Sequence, residues 1–295
     1  GSIVTTISGY SDPITSMAFS PDGKRILSGS WDGRVVVWDA ATGKAVMTLS
    51  DSGGYVWLVA YSPTGEHILA VSGARLKVWS TSGEYLAKLS QSTPGPIRGA
   101  AWSPDGRRIA CRTRDKVGIY DVATGEALRV LSATTMITSE VVFDPKGRRI
   151  VWGDWNGSIN VQDLESSSQC LTVRLHRNSI HSVAFRNDRE VVSADLTMVS
   201  VCRLDAIDNR LGQVVHLDGP PSESRFVAAA FSSDHKQVVF ARSNKLCIQD
   251  VEDAKGKELS ILGQLLSDSA WPGHGAGGAG IGGGACPGPP GPPGP

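Results

Sequence analysis

The sequence predicts an all-β fold in which one four-stranded antiparallel sheet is repeated along the chain. An aromatic residue followed by a turn-forming segment, as in Phe-Ser-Pro-Asp-Gly, occurs six times, and successive aromatics are separated by 42, 41, 41, 42 and 46 residues. Such a period indicates one supersecondary unit copied side by side, because a single unit could not bury its own apolar face. The six aromatics are Phe19, Tyr61, Trp102, Phe143, Phe185 and Phe231.

The first repeat shows the predicted order of strands. Asp-Gly and Thr-Gly pairs separate its apolar segments, and these residues tolerate the positive φ at which antiparallel strands reverse. The pattern predicts a four-stranded antiparallel meander. Its strands are residues 14–19, 24–30, 34–38 and 44–49.

The third predicted strand of each repeat is mostly apolar, as in Val35-Val-Val-Trp38 and Val117-Gly-Ile-Tyr120. Strands of this kind suit sheets that are buried on both faces, as they are when sheets stack radially around an axis. We therefore expect the core to lie between successive sheets, and the fold to be a β-propeller of four-stranded antiparallel blades.

The first repeat resembles the WD-repeat (WD40) family, and the phrasing of the repeats is similar to fungal-type WD-repeat arrays. The resemblance is carried by Val37-Trp38-Asp39, by Ser28-Gly-Ser-Trp-Asp-Gly33 and by the repeat period, and it covers about residues 3 to 262. In that family, a His before the first strand, a Ser or Thr, a turn Asp and the third-strand Trp form a buried hydrogen-bonded set. The resemblance implies a propeller that binds other proteins.

Several repeats depart from that set. The first has Tyr10 where the family has His, and the fifth has His176 but Cys202 in place of Trp, with Asp195 about one residue out of register. The second, third and sixth repeats lack the Asp. Because a satisfied buried network adds rigidity, we expect packing rather than these networks to hold the ring together, and its stability to be modest. The remaining members of the set in the first repeat are Ser28, Asp32 and Trp38.

The sequence predicts six blades within residues 1–263. Residues 3–7 read as an isolated fourth strand, which in the family pairs with the last three strands and closes the ring. The sixth repeat also has a candidate fourth strand at 258–262, so one fourth strand is surplus. The alternative is therefore a fragment of a seven-bladed propeller. Residues 264–295 are rich in Gly and Pro, and predict a disordered tail.

Composition limits the classes of function. The formal net charge of the 295-residue chain is zero, which disfavours generic binding to nucleic acid. Its five cysteines are widely spread without a Cys-x-x-Cys pair, which argues against a disulfide framework or a zinc site. We expect no cofactor and no metal, an intracellular, cytoplasmic location, and no membrane span, since the sequence has no apolar stretch long enough.

The sequence contains no motif for phosphate binding, nucleophilic catalysis or metal-dependent hydrolysis, so we expect a non-catalytic scaffold or sensor that binds proteins or peptides. In a meander, the loops before the first strand and the turns between second and third strands emerge at one end, which we name the entering rim. Aromatic and Arg side chains there are candidate interface anchors. The predicted partner-binding residues are Trp31, Tyr55, Trp57, Arg98, Trp155 and His181.

Three other hypotheses stay open. The chain could be a propeller enzyme, a hydrolase or lyase, with its site in the central channel, or it could be fused to an upstream signalling NTPase in the full-length protein. Basic residues beside the first turn of each repeat could bind phosphoinositides, although interspersed Asp residues favour a solvated, mixed-charge surface. This basic rim comprises Lys24, Arg25, Arg107, Arg108, Lys146, Arg148, Arg149, Arg189 and Lys236.

Overall fold

The computed structural model confirms an all-β fold built from antiparallel sheets. It describes residues 6–7, 9–49, 54–88, 95–166, 170–195, 199–204, 211–217, 226–231, 237–242 and 245–250. These residues form twenty-three strands in six sheets, of which five have four strands and one has three.

Each sheet is a meander whose strands are hydrogen-bonded in chain order. The first sheet comprises β1 (Ile14–Phe19), β2 (Arg25–Ser30), β3 (Val35–Asp39) and β4 (Ala45–Leu49), and the second β5 (Val56–Tyr61), β6 (His67–Ser72), β7 (Arg75–Ser80) and β8 (Tyr85–Lys88). The third comprises β9 (Gly99–Trp102), β10 (Arg108–Arg112), β11 (Lys116–Asp121) and β12 (Ala127–Ser132), and the fourth β13 (Val142–Phe143), β14 (Arg149–Gly153), β15 (Ser158–Asp163) and β16 (Leu171–Arg174). The fifth comprises β17 (Ser182–Phe185), β18 (Glu190–Ala194), β19 (Val199–Leu204) and β20 (Leu211–Leu217), and the sixth β21 (Phe226–Phe231), β22 (Gln237–Arg242) and β23 (Lys245–Asp250).

The strands predicted for the first repeat agree with the structure to within one residue at each end. The turn between β1 and β2 explains this agreement. Gly23 there has a φ of 70°, and Asp22 Oδ1 accepts hydrogen bonds from Ser20 Oγ at 2.6 Å and from the Lys24 amide at 3.0 Å. The Ser-Pro-Asp-Gly segment thus satisfies its own polar groups while reversing the chain.

The core lies between successive sheets, as the apolar third strands predicted. The third strands of the first five sheets are buried over most of their length. Between the first and second sheets, Leu27, Val35 and Val37 of one sheet pack against Val59 and Ile68 of the next. Equivalent clusters lie between the second and third sheets and between the third and fourth.

The first strands of neighbouring sheets pack together, which places them on the inner side of the array: β1 on β5, β9 on β13, β13 on β17 and β17 on β21. Hydrogen bonds reinforce two of the junctions. Thr15 Oγ1 donates to the Val56 carbonyl at 2.5 Å, and Thr138 Oγ1 donates to the Ile180 carbonyl at 2.5 Å. Four-stranded meanders that meet through their first strands are the blades of a β-propeller.

The number of blades stays a prediction. Of the isolated strand predicted at residues 3–7, only Thr6 and Ile7 are described, and neither is in a strand. The fourth strand predicted at 258–262 and the tail predicted at 264–295 lie outside the described residues. Within the described part of the chain, no helix is long and apolar enough to cross a membrane.

Candidate functional site

Three aromatic side chains meet on the entering rim where the first and second sheets adjoin. Trp31 lies in the turn between β2 and β3, Tyr55 immediately precedes β5, and Trp57 lies within β5. The ring of Trp31 approaches those of Tyr55 and Trp57 edge to face, with centroid distances of 6.1 and 6.3 Å. These are favourable aromatic geometries. We name these three residues the aromatic cluster.

A β-bulge aims Trp57 outward. The register between β5 and β6 shifts between Val56 and Leu58, so Trp57 is the extra residue, and a bulge of this kind redirects the side chain. Val56 is fully buried between the sheets, whereas Trp57 is 40% and Tyr55 51% exposed. Trp31 is partly buried. The cluster therefore offers two exposed rings that are supported by a third.

The turn that carries Trp31 is fixed by an ion pair. Arg34 donates to Asp32 Oδ2 through Nε at 2.9 Å and through Nη2 at 2.6 Å, and Nη2 also donates to the Gly9 carbonyl at 2.6 Å. Partial burial alone would raise the pKa of Asp32. The hydrogen bonds from Arg34 and from the Ser11 amide outweigh burial, and lower this pKa to about 2. Asp32 is therefore ionised at neutral pH, and holds the turn.

The hydrogen-bonded set of the first repeat forms with Tyr10 in place of His. The Tyr10 hydroxyl lies 2.6 Å from Ser28 Oγ and donates to the Ser28 carbonyl at 3.0 Å, and Trp38 Nε1 donates to Ser28 Oγ at 2.6 Å. The Tyr10 ring packs edge to face on Trp38, and the Arg34 guanidinium lies 5.1 Å from its centroid. The substitution thus keeps the Ser and Trp members connected.

The fifth repeat also forms part of the set. His176 Nε2 lies 2.7 Å from Ser193 Oγ. Asp195, which the sequence placed about one residue out of register, comes within 3.7 Å of His176 Nδ1, and its Oδ2 accepts from Asn178 Nδ2 at 3.1 Å. Burial raises the pKa of Cys202, at the Trp position, to about 12, so its side chain is a neutral thiol. The loops before the first and fifth sheets are therefore anchored by related contacts.

The other predicted site residues lie on the entering rim of later sheets. Arg98 and His181 are exposed, and each directly follows a buried Ile, as Trp57 follows Val56. Trp155, between β14 and β15, is 61% exposed. The structure thus gathers Trp31, Tyr55 and Trp57, while it distributes Arg98, Trp155 and His181 over the third, fourth and fifth sheets.

Sequence reasoning missed Asp154. Asn156 aligns with Asp32 of the first repeat, since Trp155-Asn156-Gly157 corresponds to Trp31-Asp32-Gly33, but the buried carboxylate of Asp154 organises this turn. Its Oδ1 accepts from the Asn156 and Ser158 amides at 2.9 Å each, and its Oδ2 accepts from Asn160 Nδ2 at 3.2 Å. One feature of the sequence could have indicated this role. The residue directly before the Trp of the turn is acidic, whereas the first repeat has Ser30 at that position.

On the opposite rim, many basic side chains are already paired. Arg25 meets Asp39 at 3.1 Å, and Arg148 meets Asp163 at 2.8 Å. Burial would raise the pKa of Asp163, but hydrogen bonds from Arg148 and from backbone amides lower it. These pairs favour the mixed-charge surface over a free cationic patch. Lys236 lies outside the described residues.

Other basic-rim contacts join one repeat to the next. Arg108 Nη2 donates to the Gly147 carbonyl at 2.7 Å, and Lys146 Nζ lies 2.7 Å from Asp188 Oδ2. The repeated turns also nest against each other, so Gly147 lies close to Pro104 of the preceding repeat. This rim therefore helps to hold the array together.

One cleft of about 620 Å³ opens between the first two sheets on the same rim. Its lining includes Pro21, Arg25, Val46 and Tyr61. The described residues contain no group of three or more His, Cys, Asp or Glu side chains that could hold a metal ion.

Comparison with known proteins points to one family. Residues 1–39 and 43–80 match the family model described as WD domain, G-beta repeat. The chain is 30% identical over 167 residues to WD repeat-containing protein VIP3 of Arabidopsis thaliana, which covers 51% of this chain and 52% of that protein. It is 25% identical to the periodic tryptophan protein 2 homolog of Dictyostelium discoideum, over 61% of this chain and 20% of that protein.

A third relative is eukaryotic translation initiation factor 3 subunit I of Kluyveromyces lactis, at 23% identity over 68% of this chain and 64% of that protein. The chain spans less than two thirds of the length of each of these relatives. The matched repeats, the repeated four-stranded meanders and the relatives agree: residues 1–39 and 43–80 are repeats of the WD-repeat (WD40) type, and the chain is similar to WD-repeat proteins over half of its length or more.

Proposed function

We propose that this chain is a non-catalytic interaction domain that binds partner proteins or peptides through its entering rim. The observation that carries the proposal is the aromatic cluster, in which a β-bulge exposes Trp57 while Trp31 supports it edge to face. Large, pre-positioned aromatic rings bury much area on binding and lose little rotamer freedom, which makes them effective anchors.

The same rim offers polar and aromatic contacts beyond the cluster. Arg98 on the third sheet, Trp155 on the fourth and His181 on the fifth are exposed. A partner segment that packs on the aromatic cluster and continues across the rim would meet them in turn. This arrangement suits an extended or broad protein surface rather than an enclosed small molecule.

The net charge of the chain and the names of its relatives indicate the class of partner and the cellular location. Zero net charge and paired basic side chains argue against nucleic acid as the partner. One relative is named as a subunit of a translation initiation factor, which fits a binding role in a larger assembly inside the cell. The proposal therefore includes an intracellular, cytoplasmic location. We also propose that a signalling NTPase precedes this chain in the full-length protein. The sequence of the full-length transcript tests this separate proposal.

Affinity capture with Trp57→Ala tests the binding surface. The variant should lose partner proteins that the unchanged chain retains, because it removes the exposed anchor. Its midpoint of thermal unfolding should move little, since exposed substitutions usually change stability by less than about 0.5 kcal/mol. Leu128→Ala, at an exposed apolar position on β12, is the matched control and should retain the partners.

An unchanged set of partners for Trp57→Ala would remove the aromatic cluster from consideration. Equal losses for Trp57→Ala and Leu128→Ala would indicate nonspecific adsorption to apolar side chains, and would also contradict the proposal. Arg98→Ala and His181→Ala then map how far the surface extends across the rim.

A further inference from the structure

Planar side chains fill two of the junctions between sheets on the basic rim. Each belongs to the first residue of the second strand of its sheet, and covers the aromatic residue that precedes the first turn of the next repeat. The Arg108 guanidinium carbon lies 5.9 Å from the centroid of the Phe143 ring, and Nη2 donates to the Gly147 carbonyl at 2.7 Å. His67 stacks on Trp102, with the ring centroids 6.1 Å apart and the ring planes at 19°.

The corresponding side chain of the first sheet stays on its own sheet. Arg25 lies opposite Asp39 in the pairing of β2 with β3, and its Nη1 donates to Asp39 Oδ2 at 3.1 Å. The cleft of about 620 Å³ opens here, and both Arg25 and Tyr61 line it. Tyr61 is the counterpart of Phe143 in the repeat pattern. The position that Arg108 fills at its own junction is therefore open between the first two sheets.

The cleft contains the groups that hold a guanidinium between the third and fourth sheets. Tyr61 is a half-buried aromatic ring in its wall. Gly65 also lines the cleft, and its carbonyl corresponds in the repeat to that of Gly147, which accepts from an Arg. Val46 and Met47 add an apolar surface to the lining. Such a surface suits the methylene groups of a long side chain whose charged end lies at the mouth.

The charges of the second sheet favour a cation in this cleft. The two residues after the turn Gly are both basic in the first, third and fourth repeats, but in the second they are Glu66 and His67. Glu84 follows the turn between β7 and β8, where the first repeat has Lys44. Both carboxylates are exposed, and each lies within two residues in sequence of the cleft lining. The run of basic turns on this rim is thus interrupted by acidic residues at the second sheet.

The charges of the first sheet are balanced or acidic at the cleft. Arg25 would oppose a second guanidinium, but its ion pair with Asp39 compensates this charge. Asp22 also lines the cleft, and adds a further carboxylate. An incoming cation therefore meets more negative than positive charge on both walls.

We propose that this cleft binds an arginine side chain of a partner polypeptide. The guanidinium lies over the Tyr61 ring and donates to the Gly65 carbonyl, in the arrangement that Arg108 adopts at its own junction. The stem of the arginine packs on Val46 and Met47. The cleft lies on the rim opposite to the aromatic cluster, so the proposal is independent of partner binding at the entering rim.

Methyl NMR of the 295-residue chain with labelled methionine tests the proposal. The probe is the peptide acetyl-Ala-Arg-Ala-amide at millimolar concentrations, and the matched peptide carries citrulline, which has nearly the same shape without the charge. The Met47 methyl resonance should move saturably with the Arg peptide, while that of Met17, on β1 and outside the cleft lining, stays in place. The citrulline peptide should bind about five-fold more weakly or worse.

Glu66→Arg tests the charge argument. It gives the second repeat the basic residue that the first, third and fourth repeats have at this position, and should weaken binding of the Arg peptide about five-fold. The midpoint of thermal unfolding should move little, because Glu66 is exposed. Glu126→Arg, at an exposed position after the turn between β11 and β12, is the matched control and should bind the peptide unchanged.

Equal affinities for the Arg and citrulline peptides, or a Met47 resonance that moves with neither, would overturn the proposal. Equal weakening by Glu66→Arg and Glu126→Arg would also overturn it, since the attraction would then be a general effect of net charge. Tighter binding of acetyl-Ala-Glu-Ala-amide that Arg25→Ala abolishes would instead assign the cleft to a carboxylate.

Discussion

The Tyr10 hydroxyl lies 2.6 Å from Ser28 Oγ, and so joins the loop before the first sheet to the second strand of that sheet. His176 and Ser193 make the corresponding contact in the fifth repeat at 2.7 Å. A phenol and an imidazole differ in shape, yet both reach a Ser hydroxyl one strand away. The contact is therefore set by the path of the loop rather than by one side-chain type.

Tyr10→Phe tests how much the contact between Tyr10 and Ser28 contributes to the free energy of unfolding. The variant keeps the ring on Trp38 but removes the bonds to the Ser28 hydroxyl and carbonyl, so the free energy of unfolding should fall by about 1 kcal/mol. Urea denaturation measures the change. Tyr55→Phe, at an exposed ring of the aromatic cluster, should have no such effect, and equal stability of the two variants would contradict the assignment.

Asp32 should make stability depend on pH under acidic conditions. Its pKa is lowered from 3.8 to about 2 in the folded chain, so the stabilisation is complete above about pH 4, and is lost as the pH falls toward 2. Unfolding free energies of the unchanged chain and of Asp32→Asn should therefore converge over this range. A difference that stays constant from pH 5 to about pH 2 would show that the Asp32–Arg34 pair does not contribute.

Gly29→Ala should destabilise the junction between the first two sheets. The added methyl group would fall 2.5 Å from Val56 Cγ1 and 2.8 Å from Val59 Cγ1, which forces the sheets to shift. Overpacking of this kind costs about 1–3 kcal/mol. Combining Gly29→Ala with Val59→Ala should cost less than the sum of the two single variants, as urea denaturation of all three measures. Simple additivity would mean that the two positions do not touch.

The ion pairs of the basic rim should contribute differently to the free energy of unfolding, depending on how deeply they are buried. Asp144 is buried against Arg149, with Nε to Oδ2 at 3.3 Å, so Arg149→Ala leaves a buried carboxylate without its cation and should cost about 3 kcal/mol. Lys146 and Asp188 are more exposed, and Lys146→Ala should cost less than about 1 kcal/mol. Thermal unfolding of the two variants gives the comparison. Equal losses of stability in Arg149→Ala and Lys146→Ala would show that burial does not determine how much an ion pair stabilises the fold.

Much of the fold was predictable because it depends on local chemistry that each repeat shows. Turn residues gave the strand boundaries of the first repeat, and the apolar third strands indicated burial between sheets. The rim position of Trp57 was also predictable, but its exposure follows from a one-residue register shift between β5 and β6, which no pattern in β5 encodes. Similarly, the approach of Asp195 to His176 depends on the path of a loop, and the pairing of Arg148 with Asp163 depends on strands β14 and β15 lying side by side.

The nested turns of the basic rim have a consequence for how such a chain changes in length. Gly65 lies close to Pro21, and Gly147 close to Pro104, so neighbouring copies meet through the same pair of turn positions. Duplicating or deleting one whole repeat would recreate a junction of the same kind at the point of joining. Gain or loss of a few residues within a turn would disrupt two junctions at once. Recombination in steps of one repeat is therefore the change in gene length that this architecture tolerates best.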